Sequence, residues 1–165
     1  MVIEATEEFV WQLLENVKDP EVPVLSVVDL GIIREVKKFD GGWQIVITPT
    51  YSGCPAMHMI EEEIKSTLIH ELRAPIEVIT VLSPAWTTDW MSEAGKVKLA
   101  AYGIAPPAEP SADKRALMGE KSILKCPQCG SINTVMISQF GSTACKSLFR
   151  CEDCLEPFDY FKCLR

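Results

Sequence analysis

The sequence has no long apolar run and no recognisable export signal. None of its apolar stretches approaches the roughly 18 residues that a membrane-spanning helix needs. Its first eight residues carry neither a basic region nor an apolar core, so they do not have the pattern of a signal peptide. Because nothing in the sequence directs export or membrane insertion, we expect a cytoplasmic protein with no membrane partner.

The chain also lacks an excess of positive charge. Its formal net charge is −7, from 16 Lys and Arg against 23 Asp and Glu. Residues 1–104 carry eight basic and sixteen acidic side chains, whereas residues 120–165 carry six basic and five acidic ones. Nucleic-acid backbones are bound through clustered Lys and Arg. The charge distribution therefore argues against nucleic acid as a partner.

Length and composition favour two globular domains. The hydrophobic fraction is 47% and the charged fraction 24%, both ordinary for a folded protein. A chain of 165 residues can hold one domain of common size and a small second one. The segment 105–111 is rich in proline, which is typical of a linker. We predict domains at 1–104 and 122–165, joined by a linker at 105–121.

Periodicity predicts an α+β fold for the first domain, a small mixed sheet with helices on one face. Thr6 is a predicted N-cap for a helix that ends before Asp19-Pro20. Two β-rich runs, 32–39 and 43–48, flank Asp40-Gly41-Gly42 and so predict a hairpin. The other predicted elements are a long amphipathic helix from Cys54-Pro55 to Ala74-Pro75, a strand at 76–82 and a helix at 92–102.

Seven cysteines in a reducing compartment favour metal ligands or working thiols over a disulfide framework. Four of them form two Cys-x-x-Cys pairs separated by 21 residues, and this spacing lets both sulfurs of a pair reach one ion. Flanking β-rich runs predict an all-β zinc ribbon in which four thiolates leave no open coordination position. The alternatives are four unrelated buried cysteines or a rubredoxin-like iron site. The predicted zinc ligands are Cys126, Cys129, Cys151 and Cys154.

Cys54 is a candidate functional thiol outside the ribbon. It follows Ser52-Gly53 and precedes Pro55, at the predicted N-terminus of the long helix. Backbone N–H groups and the helix dipole stabilise a thiolate there, so we expect an activated nucleophile or a soft-metal ligand. The alternative is a small buried apolar residue. A thiol enzyme is a weaker hypothesis, because the sequence offers no convincing general base.

Several short motifs give the sequence a family resemblance. Asp19-Pro20-Glu21, Asp29-Leu30-Gly31 and Ser52-Gly53-Cys54-Pro55 resemble the signature of the SufT-type iron–sulfur assembly domain, over roughly residues 5–100. Three further segments, 83–90, 140–146 and 156–163, resemble the PaaD (PaaJ) family of phenylacetate-degradation proteins. That resemblance extends over nearly the whole chain outside the linker. One departure is Ser83, where the family pattern leads us to expect an acidic residue.

The resemblance implies an accessory protein of aerobic phenylacetyl-CoA degradation, not an enzyme. Its partners would be components of a multicomponent ring-epoxidising monooxygenase, especially the iron–sulfur reductase, into which it would help insert clusters. The implied cofactors are a structural zinc and a transient iron–sulfur cluster. The alternative is a stable structural subunit of the oxygenase complex, with Trp86 and Trp90 at the interface, and a homodimer is also open. Cys54 would be the key thiol, and the candidate auxiliary residues are Asp19, Glu21, Asp29, Cys145 and Cys163.

Overall fold

The computed structural model describes residues 5–108 and 124–162. The chain divides into two compact units. The first comprises the residues up to Trp86 together with Trp90–Ser92, and the second comprises Thr87–Asp89 and the residues from Glu93 onward. Over the described ranges, no helix has both the length and the apolar character needed to cross a bilayer.

The first unit is built on a three-stranded mixed sheet. Strands β1 and β2 are antiparallel neighbours, and β2 pairs in parallel with β3 through a crossover that contains the long helix α2. Helix α1 packs against α2 and β1, and α2 packs against β3. The predicted α+β fold with a small mixed sheet is confirmed. Its elements are α1 (Glu7–Leu14), β1 (Ile33–Phe39), β2 (Gly42–Ile47), α2 (Ala56–Leu72) and β3 (Ile76–Thr80).

Local sequence signals explain where these elements begin and end. The Thr6 hydroxyl accepts a hydrogen bond from the Phe9 N–H at 3.2 Å and caps α1, as predicted. The hairpin reverses at Asp40-Gly41, where Gly41 has φ +83°, which suits a two-residue turn. Helix α2 ends at Leu72 and is capped by Arg73, whose left-handed backbone precedes Ala74-Pro75.

The second unit contains the ribbon sheet. Its strand order is β4-β7-β6-β5, in which β5, β6 and β7 are antiparallel and β4 pairs in parallel with β7. Phe149 is fully buried between Phe158 and Tyr160, with ring centroids 5.9 and 5.7 Å away. The elements are α3 (Glu93–Tyr102), β4 (Ile104–Ala105), β5 (Thr134–Ser138), β6 (Lys146–Cys151) and β7 (Pro157–Phe161); a short 3₁₀ helix spans Thr88–Trp90.

Strand β4 was not expected from the sequence. A segment of two residues is too short to show a periodic pattern in the sequence. Ile104–Ala105 is a strand because it pairs with β7. Helix α3 and β4 accordingly belong to the second unit, although the sequence analysis placed residues up to 104 in the first domain. Most of the predicted linker, from residue 109 to 121, lies outside the described residues. The predicted domain boundaries stay a prediction.

The Asp29-Leu30-Gly31 segment is fixed by contacts around a buried carboxylate. Asp29 and Ser26 exchange hydrogen bonds, Asp29 N–H to Ser26 Oγ at 2.9 Å and Ser26 N–H to Asp29 Oδ2 at 3.1 Å. The second carboxylate oxygen, Oδ1, accepts from the Ser92 hydroxyl at 3.0 Å. Gly31 has φ +71° and lies directly against the Trp90 carbonyl, so a Cβ at this position would clash with backbone. These contacts fix the segment against Trp90 and Ser92, which follow β3 in the sequence.

We expect Gly31→Ala to lower the free energy of unfolding by about 3 kcal/mol or more, because both the φ angle and the Trp90 carbonyl oppose a methyl group. Gly41→Ala is the matched control, since Gly41 has a similar φ of +83° but no heavy atom within 4 Å of an added Cβ. Its cost should be about 1 kcal/mol, from the backbone alone. Urea unfolding measures both, and equal costs would show that the contact with Trp90 is unimportant.

Candidate functional site

The four cysteines of the two pairs meet at one point in the ribbon. Their Sγ atoms all lie within 4.8 Å of one another. The Sγ atoms of Cys126 and Cys154 are 3.7 Å apart, and those of Cys129 and Cys151 are 3.5 Å apart. A tetrahedral zinc with Zn–S bonds of about 2.3 Å requires sulfurs about 3.8 Å apart. The donor set and its spacing therefore fit a zinc ion bound by four thiolates.

Backbone hydrogen bonds shape the turns that hold these sulfurs. Cys126 donates its N–H to the Ser131 carbonyl at 2.8 Å, and Gly130 donates to the Cys126 carbonyl at 2.8 Å. Gly130 has φ +75°, a conformation that glycine adopts without strain. In the second pair, Cys151 donates to the Glu156 carbonyl at 3.0 Å. Each pair thus lies on a turn closed by its own backbone.

Side chains outside the cluster connect the two turns. The Asp153 carboxylate accepts from the Ser131 hydroxyl and, at 2.8 Å, from the Asn133 side-chain amide. These two donors hold the pKa of Asp153 below its ordinary value. Glu152 also donates its N–H to the Asn133 carbonyl at 2.8 Å. The turns are therefore held together by contacts beyond the four sulfurs.

Two cysteines of the cluster have pKa values shifted in opposite directions. The Cys154 backbone N–H, with that of Asp153, lowers the pKa of Cys151 to about 7. The pKa of Cys154 is raised to about 12: the Glu156 N–H acts to lower it, but burial and the neighbouring sulfurs outweigh that hydrogen bond. Four thiolates this close repel one another, and a bound cation removes that penalty. The arrangement therefore suits a site that is completed by a metal ion.

Cys54 occupies the loop between β2 and α2. Its N–H donates to the Tyr51 carbonyl at 3.3 Å, and Gly53, at φ +82°, turns the chain toward the helix. The side chain is half-buried. Hydrogen bonding from the Ala56 N–H, at the start of α2, and from the Tyr51 side chain acts to lower the pKa of this thiol. Cys54 thus lies at the N-terminus of the long helix, as the sequence indicates.

The expected thiolate is not supported, and that prediction was wrong. Burial raises the pKa of Cys54 above its ordinary value. The hydrogen bonds from Ala56 and Tyr51 lower it, but the carboxylates of Glu21 and Asp19 raise it further. Desolvation penalises the charged form more than the helix N-terminus favours it. At neutral pH the side chain is therefore a thiol.

The structure brings two of the predicted auxiliary residues to Cys54. Asp19 Oδ1 accepts from the N–H groups of Glu21 and Val22, both at 2.7 Å, which forms a turn and fixes the carboxylate. Asp19 and Glu21 both act electrostatically on the Cys54 sulfur. Asp19 and Glu21 come 35 and 33 positions before Cys54 in the sequence, and the fold makes both part of its electrostatic environment. Their auxiliary roles remain a prediction.

The other three candidates have different surroundings. Asp29 takes part in the contacts with Ser26 and Ser92 described above. Cys145 is buried in the second unit, its Sγ 3.0 Å from the Thr143 hydroxyl. Cys163 lies outside the described residues. The hypothesis that Cys145 and Cys163 share a transient cluster with Cys54 stays a prediction.

Sequence reasoning missed Tyr51. The Cys54 N–H donates to its carbonyl at 3.3 Å, and hydrogen bonding from its side chain acts to lower the pKa of Cys54. The available signal was a tyrosine three residues before a cysteine, with a glycine between them. That spacing alone also fits an ordinary exposed turn, so only the fold reveals the contact.

Comparisons with known proteins match two separate segments of the chain to two families. Residues 7–81 match a family described as iron–sulfur cluster assembly protein, and residues 110–162 match the PaaD zinc beta ribbon domain. The chain is 48% identical over 155 residues to an Escherichia coli K12 protein named as a subunit of 1,2-phenylacetyl-CoA epoxidase; the match covers 94% of this chain and 92% of that protein. The chain belongs to the PaaD family. The resemblance seen in the sequence is confirmed.

The first part of this PaaD-family chain also has smaller relatives. It is 38% identical over 99 residues to the Bacillus subtilis Fe–S protein maturation auxiliary factor YitW, covering 58% of this chain and 95% of that one. A Bacillus anthracis domain of unknown function has 31% identity and a TM-score of 0.53, covering 56% and 90% of the two chains. A conserved hypothetical protein of Thermotoga maritima has 29% identity and a TM-score of 0.51, covering 60% and 98%. The fold of this part therefore occurs without the ribbon.

We expect Cys126→Ser and Cys151→Ser each to abolish stoichiometric zinc binding and to make residues 120–165 sensitive to protease. The reason is that three thiolates and a hydroxyl hold zinc less tightly, and so small a sheet depends on the ion for much of its folding free energy. Cys145→Ser is the matched control, because Cys145 is buried in the same unit but is not part of the four-sulfur cluster. Full zinc content in either ligand variant, measured by elemental analysis, would contradict the assignment.

Proposed function

We propose that this PaaD-family protein is a non-catalytic maturation factor that helps insert iron–sulfur clusters into the reductase of the phenylacetyl-CoA monooxygenase. The observation that carries the proposal is the half-buried Cys54 thiol at the start of α2, beside Asp19 and Glu21, within the part that matches the iron–sulfur assembly family. Relatives of this part are named as Fe–S protein maturation auxiliary factors. The name of the Escherichia coli relative supplies the link to phenylacetyl-CoA chemistry.

The surroundings of Cys54 suit a thiol that is protonated at rest and later binds iron. A protonated thiol resists oxidation better than a thiolate, because susceptibility follows thiolate character. The carboxylates of Asp19 and Glu21 disfavour an isolated thiolate but favour a cationic iron species beside it. Thiolate sulfur is the usual ligand of iron–sulfur clusters. The same charges that add to the effect of burial on the pKa of the thiol would thus favour cluster iron as its partner.

A thiol enzyme is less well supported by this geometry. A nucleophilic cysteine is activated by a lowered pKa or by an adjacent base. The pKa of Cys54 is raised instead, and the nearby Asp19 and Glu21 carboxylates contribute to that increase. The raised pKa reduces the thiolate fraction at neutral pH, which supports a non-catalytic role.

We also propose that the ribbon ion is zinc and that its role is structural. Four thiolates complete a tetrahedral shell and leave no position for a substrate. The match of residues 110–162 to a zinc ribbon family supports zinc over a rubredoxin-like iron. The ribbon would then serve as a rigid module for recognising the client protein.

The runner-up is a stable structural subunit of the oxygenase, for which the name of the Escherichia coli relative is the support. This alternative predicts Trp86 and Trp90 at the interface. Trp86, however, is only 4% exposed and donates its indole N–H to the Leu30 carbonyl at 2.9 Å. The Arg34 guanidinium lies 3.6 Å from the centroid of the Trp90 ring. Trp86 is therefore a core residue of the first unit, which weakens this alternative. A homodimer and a cytoplasmic location remain predictions.

We expect Cys54→Ala and Cys54→Ser to fold normally but to leave the co-expressed reductase poor in iron and sulfide. The stability cost should be about 1 kcal/mol, typical of a modest substitution in a partly exposed loop. The serine variant keeps the shape and replaces a soft ligand with a hard one. Iron and acid-labile sulfide are measured per reductase after anaerobic purification, with urea unfolding of each variant.

Ser52→Ala is the matched control for this experiment, because it alters an exposed side chain in the same loop without touching the thiol. It should leave the reductase fully loaded. A fully loaded reductase beside both folded Cys54 variants would make Cys54 an ordinary packing residue and would favour the stable-subunit alternative.

A further inference from the structure

Strand β5 forms one edge of the ribbon sheet. Among the described strands, its only neighbour is β6. The Asn133 carbonyl accepts from the Glu152 N–H at 2.8 Å, and three positions later Met136 lies opposite Phe149. Residues of an antiparallel pair direct their backbone groups alternately toward the neighbouring strand and away from it. The N–H and C=O of Met136 therefore point to the open side of β5.

This edge lacks the charges that usually protect an edge strand from pairing with another chain. In the first unit, edge strand β1 has four charged side chains among its seven residues, and edge strand β3 includes Glu77. The other ribbon edge, β4, is only two residues long. By contrast, residues 126–145, which contain β5, include no Lys, Arg, His, Asp or Glu. A register shift between Met136 and Ser138 alters the end of β5 but adds no charge to it.

The side chains of β5 also favour a further strand. Val135 is 42% exposed and Ile137 is 52% exposed, whereas Met136 between them packs against the buried core of the ribbon. Two exposed β-branched side chains on one face of an edge strand can form cross-strand pairs with a similar strand. Backbone groups and side chains thus both fit an added strand that is itself apolar and uncharged.

We propose that β5 pairs antiparallel with β5 of a second copy of this chain. Two-fold pairing centred on Met136 lets the outward N–H and C=O groups of the two copies bond to each other. Val135 of each copy then lies opposite Ile137 of the other. This inference does not rest on the function proposed for Cys54.

Charge favours a second copy as the occupant of this edge. Two chains that each carry a formal charge of −7 repel one another. An uncharged strand is a segment that can meet its own copy without placing like charges opposite each other, which would destabilise the pair. A strand of five residues buries little area, so the dimer should be weak and reversible.

Sedimentation equilibrium of the full chain tests the dimer. The average mass should rise with concentration, up to about 1 mM, toward twice that of one chain. Val135→Lys and Ile137→Lys should each weaken association roughly tenfold or more, because lysine opposes pairing at a strand edge. Val97→Lys is the matched control, since Val97 is 68% exposed in α3 of the same unit and should not affect association. Circular dichroism and zinc content check that each variant is folded.

Hydrogen exchange tests the same surface in the unaltered protein. Amides of β5 should exchange more slowly as the protein concentration rises, whereas those of β1 should not change. The register is tested by mixing Val135→Lys with Ile137→Glu, because the two-fold pairing places that lysine opposite that glutamate. The mixture should associate more strongly than either variant alone.

Four results would overturn the inference. They are a parent protein that is monomeric at every concentration, a dimer that both lysine variants retain, exchange in β5 that does not depend on concentration, and a mixture no stronger than its components. Protection of β5 amides that appears only when the monooxygenase components are added would also overturn it, and would assign this edge to a client strand.

Discussion

The chemistry of the first unit depends on how the Cys54 sulfur is solvated. Half-burial removes water that would stabilise a thiolate, and the carboxylates of Asp19 and Glu21 add to this effect. The N-terminus of α2 and Tyr51 oppose it with hydrogen bonds but do not outweigh it. A neutral thiol that is influenced by two carboxylates is a poor resting nucleophile. The negative charge of those carboxylates would favour a cation near the sulfur. This balance connects the local fold to the role in handling iron that we propose.

The second unit depends on a different interaction, the meeting of four sulfurs. Its aromatic core is small, centred on Phe149, Phe158 and Tyr160. The two cysteine turns are connected by Asp153 through Ser131 and Asn133, so the geometry of the cluster is supported from outside. A metal ion bound there would join the two cysteine turns and add to the stability that this small core provides. In the functions that we propose, the two units use cysteine in two ways, as fixed ligands in the ribbon and as an exchangeable thiol in the loop.

Much of this architecture could be predicted from the sequence, because its signals are local. Each signal determines structure within a few residues of itself, as do Thr6, the Asp40-Gly41 turn and each Cys-x-x-Cys pair. The predicted thiolate of Cys54 failed because burial, which depends on the whole fold, outweighed the helix N-terminus. Strand β4 was missed for a related reason, since its pairing with β7 is what makes it a strand.

We propose that the protein acts on its client and then leaves it. The most direct test is to produce this chain at about one tenth of the level of the reductase and to measure iron and acid-labile sulfide per reductase after anaerobic purification. A maturation factor acts repeatedly, so the account predicts a fully loaded reductase and little of this chain in the purified complex. A loaded fraction that rises one-for-one with the amount of this chain, with the chain retained in the complex, would contradict it.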